Sequence, residues 1–405
     1  MNVTKDFVIG ILAYIKYNYL QDLLDDINRQ TIWPKEVIIS DNGDGFHLNK
    51  KYHFPITIVK NSYNYGTTRG LNQILKLCNN KENILLLCDD NFFIEDNSLE
   101  KIYNKFEYEN KVNNIHILWL CHWASILISK KWIEDFGYFD ENLWPCYYED
   151  SDCVERIRKK KNTVLCNGIG WPLETLPMTG SASEFIGNRH ATCSQVTNVK
   201  YGDTVSRTCA YYMTKWKKED VINNDEIIAI HDNTKDYYVD SHDVDFYKCH
   251  IDFLKNVIKN YKISNNANKI SAFIDDVLTL KEFNFEKIIE YKTQRAYTSQ
   301  LLLHLKPIEF ISYDDEFIFN HDFCYHLNYL MNYNITIKLL KTSEMTFEKC
   351  DLLVLNFDCN YSDISNVLTS KYILLFTKDD ININGYEEIR RNEVYMDKMV
   401  LLKKI

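Results

Sequence analysis

Ile84-Leu85-Leu86-Leu87-Cys88-Asp89-Asp90-Asn91 is a short, unbroken apolar run that stops abruptly on two carboxylates and an amide. Such a run suits a strand covered on both faces, and the polar stop marks where it leaves the core. The same grammar recurs upstream. Val37-Ile38-Ile39-Ser40 ends in Asp41-Asn42-Gly43-Asp44-Gly45, a cluster of turn formers. Phe7-Val8-Ile9-Gly10-Ile11-Leu12 and Ile56 to Val59 supply two more strands. Between them, Leu20, Leu23, Leu24 and Ile27 share one helical face, and Leu71, Ile74, Leu75 and Leu77 fall mostly on another. Strands alternating with helices imply a mostly parallel sheet whose ligands bind at the carboxyl ends of the strands. Both acidic clusters, after Ser40 and after Leu87, lie at that edge.

A chain of 405 residues exceeds one ordinary core, so two domains and a connector are expected. From about 220 to 285 the pattern is polar and helical. Strand signals return at Lys287 to Tyr291, Ile308 to Ser312, Ile335 to Leu340, Leu352 to Asn356 and Tyr372 to Phe376. The expected division is 1–220 for a first α/β domain, 221–285 for a helical connector and 286–405 for a second.

Hydrophobic residues at 45% and charged residues at 26% are globular values. A formal net charge of −10 argues against a dedicated nucleic-acid binder, which needs clustered Lys and Arg. The basic run from Arg156 to Lys161 reads as a solvated helical face. Twelve cysteines occur without a short CxxC spacing, which excludes a zinc ribbon or a thioredoxin-type site. Phe7 to Leu12 is too short to span a membrane and lacks a signal peptide's cleavage region. Free thiols and no export signal point to a cytoplasmic, reducing compartment. Abundant Asn, Lys, Ile and Tyr suggest an AT-rich genome.

Two stretches carry chemistry. Carboxylates held just past a buried strand, as at Asp89 and Asp90, can hold a hard divalent cation and so stabilise a departing diphosphate. Taken alone they are equally common as turn residues. The second stretch runs Phe139-Asp140-Glu141-Asn142-Leu143-Trp144-Pro145-Cys146-Tyr147-Tyr148-Glu149-Asp150-Ser151-Asp152. Three acids in four residues at a helix start complement the helix dipole. Beside Trp144, Tyr147 and Tyr148 they also suit a sugar site, where rings pack on pyranose faces and a carboxylate accepts a hydroxyl proton.

From Gly10 to Arg158 these elements together resemble the inverting, family 2 glycosyltransferases of the GT-A fold, close to the rhamnosyl- and galactofuranosyl-transferase branch. Ile11 to Lys16, with Tyr14, is similar to the family's first strand and loop, and Gln30-Thr31-Ile32-Trp33-Pro34 to its QT-x-x-P turn. Val37 to Gly43 resembles the second strand, whose terminal acid, here Asp41, contacts the nucleotide base. Asn64-Tyr65-Gly66-Thr67-Thr68-Arg69-Gly70-Leu71-Asn72 resembles the N-x-G-x-x-x-G-x-N element beside the donor. Cys88 to Asn91 occupies the place of the DxD metal motif. Phe136 to Glu141 followed by Tyr148 to Asp152 resembles the G-x-F-D-E…E-D-x-D block that carries the general base.

The resemblance implies a nucleotide-sugar donor, UDP- or dTDP-linked, a glycan or similar hydroxyl acceptor, and Mn²⁺ or Mg²⁺. By position, Asp150 or Glu149 is the base. Tyr14, Asp41, Gly66, Arg69 and Asp89 are donor contacts, and Asp90 with Asp89 or Asn91 holds the metal. Trp123, Trp144 and Tyr147 are candidates for an acceptor groove, although any one aromatic is more often core. The chain departs from the family pattern in several places. Cys88 replaces a first acid, Ala13 and Ile15 replace polar loop residues, and Met178 to Ser183 has no His, the nearest being His190. Either the metal is then held more loosely, or the diphosphate is neutralised partly by a cation such as Arg189.

Residues 286–405 faintly resemble a class I methyltransferase Rossmann domain. Ile288 to Thr298 is similar to that family's cofactor loop with its glycines replaced, Lys292 and Ala296 among the replacements, and Asp314 matches a ribose-binding acid. No S-adenosylmethionine is expected there, and a role in acceptor positioning or oligomer assembly is. A non-catalytic sugar-binding protein and a bifunctional glycosyltransferase–methyltransferase are the competing functions.

Overall fold

The computed structural model describes residues 3–43, 45–78, 82–121, 124–159, 185–189, 208–209, 211–212, 215–216, 251, 254–255, 273–291, 297–313, 321–344, 349–356, 370–377, 380, 383–394 and 397–405. The chain divides into two compact units, residues 1–199 with 212–244 and residues 200–211 with 245–405.

The first unit contains β1 (Val3–Thr4), β2 (Phe7–Ala13), α1 (Tyr17–Arg29), β3 (Ile32–Trp33), β4 (Glu36–Asp41), β5 (Ile56–Lys60), α2 (Gly66–Leu77) and β6 (Asn83–Cys88). It continues with β7 (Asn91–Phe93), α3 (Ser98–Asn113), β8 (Ile117–Cys121), β9 (Ser125–Ile128), α4 (Trp132–Phe136), α5 (Glu149–Lys159) and β10 (Ile186–Asn188). Among the described residues, the main sheet has the order β5-β4-β2-β6-β9-β8. The first four of these run parallel, while β9 is antiparallel to both β6 and β8.

The two-residue period of a strand assigns its side chains to alternate faces. Ile9, Ile11, Val37, Ile39, Leu85 and Leu87 pack with Leu20, Leu23, Leu24 and Ile27 of α1 and with Leu99, Ile102 and Phe106 of α3. Val8, Ile38, Ile84 and Leu86 pack on the other face against Ile74 and Leu75 of α2 and Trp132 and Phe136 of α4. Covering both faces explains why these strands read as continuous apolar runs. Helix α2 approaches β2 closely at Gly70, where a Cβ would lie 2.4 Å from Leu12 Cδ1.

The second unit carries α6 (Ile274–Thr279), β11 (Lys287–Tyr291), α7 (Tyr297–Leu303), β12 (Glu309–Tyr313), α8 (His321–Leu330), β13 (Thr336–Leu340), β14 (Leu352–Leu355), β15 (Tyr372–Thr377), β16 (Tyr386–Val394) and β17 (Asp397–Lys404). Its sheet has the order β13-β12-β11-β14-β15-β17-β16. Strands β11 to β15 are parallel, in the 3-2-1-4-5 order of a doubly wound Rossmann sheet. Strand β17 runs antiparallel to β15 and to β16. The five strands expected from sequence are present within one residue. The closing hairpin was not expected, because β16 is an edge strand rich in charge, Glu387, Glu388, Arg390, Arg391 and Glu393, and shows no apolar run. Among the described residues no helix is long and apolar enough to cross a membrane.

Candidate active site

In the first unit the sheet order reverses between β2 and β6, a switch point that leaves a crevice at their carboxyl ends. Asp89 sits there, 1% exposed. Its backbone N–H donates to Leu12 O at 3.1 Å, and its Oδ2 accepts from Tyr14 N at 2.9 Å. Burial pushes its pKa up to about 8; the Tyr14 hydrogen bond opposes this and the neighbouring Asp90 adds to it. Asp90 is also buried, and its Oδ1 accepts from Asn188 Nδ2 at 2.7 Å. Asn188 arrives on β10, which pairs with β7, and Arg189 N–H donates to Asp90 O at 3.0 Å. Asn91 lies in the same turn, but its side chain closes it: Oδ1 accepts from Cys88 N at 2.8 Å and Nδ2 donates to Gly187 O at 3.3 Å.

The acid block converges on this strand end. The Cys88 thiol is held well above its usual range, first by burial and then by the charges of Asp90, Asp89 and Glu149. Glu149 opens α5 beside Asp150. Burial and then the Asp150 charge push Glu149 up to about 8. Burial likewise raises Asp150, against hydrogen bonds from Ser151 N–H and Oγ. Glu149 Oε2 is enclosed and has no hydrogen-bond partner among the described residues. Immediately before this pair, Tyr147 and Tyr148 hold φ of 79° and 66°. Two successive non-glycine residues in the left-handed region cost about 1–3 kcal/mol each, and such strain persists where surrounding structure enforces it.

The residues expected beside the donor form one connected loop. Gly66, at φ 75°, donates its N–H to Asn64 Oδ1, and a Cβ there would meet Pro145 O and Trp144 Cδ1, each at 2.7 Å. Arg69 stacks on Tyr65 with its guanidinium carbon 3.7 Å from the ring centroid, and it donates to Tyr63 Oη. Asn72 holds both Phe139 N–H and Phe139 O, joining α2 to the acid block. Asp41 is fully buried. Its Oδ1 accepts from Tyr17 Oη at 2.9 Å and Gly43 N at 3.0 Å, and its Oδ2 accepts from Phe46 N at 2.9 Å. The carboxylate thus holds Gly43 and Phe46 in place.

Trp144, expected along an acceptor groove, is 1% exposed and donates its indole N–H to Asn64 O at 3.0 Å. It packs inside, as a wedge between the Gly66 loop and the acid block, and offers no ring face to a glycan. Tyr147 is half-buried. Trp123, His190, Met178 to Ser183, Lys292 to Ala296 and Asp314 lie outside the described residues.

Sequence reasoning missed Lys215. Its side chain is 1% exposed, with Nζ 2.7 Å from Asp140 Oδ2 and 2.6 Å from Asp152 Oδ1. In Tyr212-Met213-Thr214-Lys215-Trp216-Lys217-Lys218 it reads as one of several surface cations. Only its partners, more than 60 residues upstream, give it a role.

A hard divalent ion fits the strand end. Asp89 and Asp90 supply two carboxylates, and a cation beside Asp89 would favour the ionised form that burial disfavours. Among the described residues no group of three or more His, Cys, Asp or Glu is arranged to hold a metal. Two carboxylates completed by phosphate oxygens and water are enough for Mg²⁺-type coordination.

Residues 8–156 match the family model described as glycosyl transferase family 2, so this part of the chain is a domain of that family. Solved structures it is similar to include the mannosyltransferase PcManGT from Pyrobaculum calidifontis in complex with GDP-Man and Mn²⁺. The identity is 11% and the TM-score 0.36, covering 54% of this chain and 66% of that one. TarS from S. aureus is 11% identical with a TM-score of 0.37, covering 69% of this chain and 49% of TarS, about half its length. A ribosomal protein L11 methylase from Lactobacillus delbrueckii subsp. bulgaricus is 11% identical with a TM-score of 0.28, covering 34% of this chain and 79% of the methylase. No curated protein matches the sequence.

Proposed function

We propose that this chain, with its glycosyl transferase family 2 domain at residues 8–156, is an inverting glycosyltransferase moving a sugar from a nucleoside-diphosphate donor to a hydroxyl of a glycan. The observation that carries the reading is that Asp89 and Asp90 after β6 and Glu149 at the start of α5 all act on Cys88 at the end of β6, with Asp150 beside Glu149. The first set suits a diphosphate with its cation, and the second suits a proton acceptor.

Asp150, or failing it Glu149, accepts the acceptor hydroxyl's proton as that oxygen attacks the anomeric carbon from the face opposite the nucleotide. Burial raises the basicity of both carboxyls, although each side chain keeps part of its surface open to solvent. Tyr14 and the Gly66 loop line the donor side, Arg69 offers a cation to the phosphates, and Asp41 acts through the Gly43 and Phe46 it holds. Asp90 and Asp89 would hold Mn²⁺ or Mg²⁺, which would supply charge neutralisation on the leaving diphosphate. Hydrolysis of a panel of UDP-, dTDP- and GDP-sugars with Mn²⁺ or Mg²⁺ tests the activity; a protein inert towards all of them overturns it.

Two further expectations arise here. Calorimetric titration with UDP should show tighter binding with Mn²⁺ present, and Asp90→Ala should weaken the metal-dependent part by about 10-fold or more. Equal affinity with and without Mn²⁺ would remove the metal from the reading. The second unit is expected not to bind S-adenosylmethionine. At its own switch point, Glu290 is fully buried, with Oε2 accepting from Ser299 Oγ and Oε1 from Asn356 Nδ2. Thr298 Oγ1 donates to Asn356 Oδ1 at 3.1 Å, which completes an internal network where a cofactor loop would need open acceptors. Excess cofactor should leave the full chain's Tm unchanged, whereas ligand at 100 times its Kd would stabilise by about 2.7 kcal/mol. Supporting assembly or placing the acceptor is the role left to this unit.

A further inference from the structure

We propose that Lys215 is a positioning residue for the transfer site, a buried cationic bolt that sets where Glu149 and Asp150 point. The inference rests on the reading of these two acids as the proton-accepting pair.

A lone ammonium taken out of water shifts towards its neutral form. Burial pushes Lys215 that way, yet its pKa is raised, because Asp140 and Asp152 both face it. The Lys215 ammonium therefore stays charged, held between Asp140 and Asp152. Asp140 belongs to the loop after α4, where its Oδ1 accepts from Asn142 N at 3.1 Å and Asn142 Nδ2 at 2.8 Å. Asp152 is in the first turn of α5, two residues after Asp150. Trp216 Nε1 donates to Asp152 Oδ1 at 3.0 Å, and Arg156 Nε lies 3.0 Å from Asp152 Oδ2. Arg156 also donates to Phe136 O and Tyr138 O. Both cations thus tie α5 to the 136–142 loop.

Between the tied points runs 143–148, with its two left-handed tyrosines, and the Tyr148 ring rests against Tyr212 at 5.0 Å between centroids. A backbone in this conformation relaxes unless its ends are fixed. Lys215 and Trp216 fix the far end, so they determine how the first turn of α5 presents its acids. Lys215 also lies beyond residues 8–156, so a fragment ending with the matched domain lacks it.

The test uses the full chain with Lys215→Met, which keeps the stem and removes the charge, and Lys215→Arg as the conservative rescue. With the nucleotide sugar of the panel that wild type hydrolyses fastest, kcat per folded molecule should fall by about 100-fold while the donor KM stays within about 3-fold. Lys215→Arg should recover part of the loss. An unchanged kcat in Lys215→Met overturns the inference. Should Lys215→Met not fold, Asp140→Asn removes one arm of the bridge, and an unchanged kcat there is equally decisive. Hydrogen exchange separates this inference from the reading it rests on, since it needs no substrate. Lys215→Met should lose protection about 10-fold or more in peptides covering 146–152, with β2 and β4 unaffected. Unchanged or uniformly faster exchange overturns the positioning role, whereas a wild type inert to every sugar nucleotide overturns the transferase reading alone.

Discussion

Asp150→Asn is expected to lower turnover by about 10²-fold or more while leaving nucleotide binding intact. The amide keeps the carboxylate's shape, and it still accepts from Ser151 N–H, which lies 2.6 Å from Asp150 Oδ1. It cannot take a proton. The pH profile carries a second signature. Both acids are raised by burial, Glu149 to about 8 with help from the Asp150 charge. A base works only when ionised, so wild-type turnover should climb with pH and level off near the raised value. Removing the Asp150 charge lets Glu149 ionise at lower pH, so any residual activity should have its limb displaced downward. Linkage has the opposite consequence for stability. The folded state holds a Glu149 proton that the unfolded state releases from about pH 4.5 upward, so this group's contribution falls as pH rises towards 8. Initial rates across pH 5–9, for both proteins, check the kinetic part. Near-normal turnover in Asp150→Asn would move the role to Glu149 or Asp152.

Trp144→Ala should destabilise the first unit by about 3–5 kcal/mol, the cost of emptying a packed aromatic site. The indole is enclosed, Cδ1 sits where a Gly66 Cβ would intrude, and the ring N–H is spent on Asn64 O. Removal leaves a cavity, takes away the hydrogen bond to Asn64 O, and loosens the contact between the Gly66 loop and the acid block. Denaturant unfolding of the two proteins measures the difference. A variant as stable as wild type but weaker towards glycan acceptors would restore the ring to the groove that its sequence context suggested.

The apolar runs at Phe7 to Leu12, Val37 to Ile39 and Ile84 to Leu87 determined a parallel sheet covered on both faces, because burial on two sides permits no polar alternation. Strands β11, β12, β14 and β15 of the second unit were legible for the same reason. So was the placing of Asp89 and Asp90 at a strand's carboxyl end, since a run that stops on acids must stop at the rim of the core. Local pattern could not decide what each polar side chain does once there. Asp41 and Asn91 look like ligand contacts in sequence and are occupied closing turns, and Trp144 looks like a platform and is a wedge. Lys215 looks solvated and is among the most buried side chains of the molecule. These roles rest on hydrogen bonds and ion pairs between residues far apart along the chain. A buried polar group takes whichever partner the tertiary packing delivers, so only the folded structure decided them.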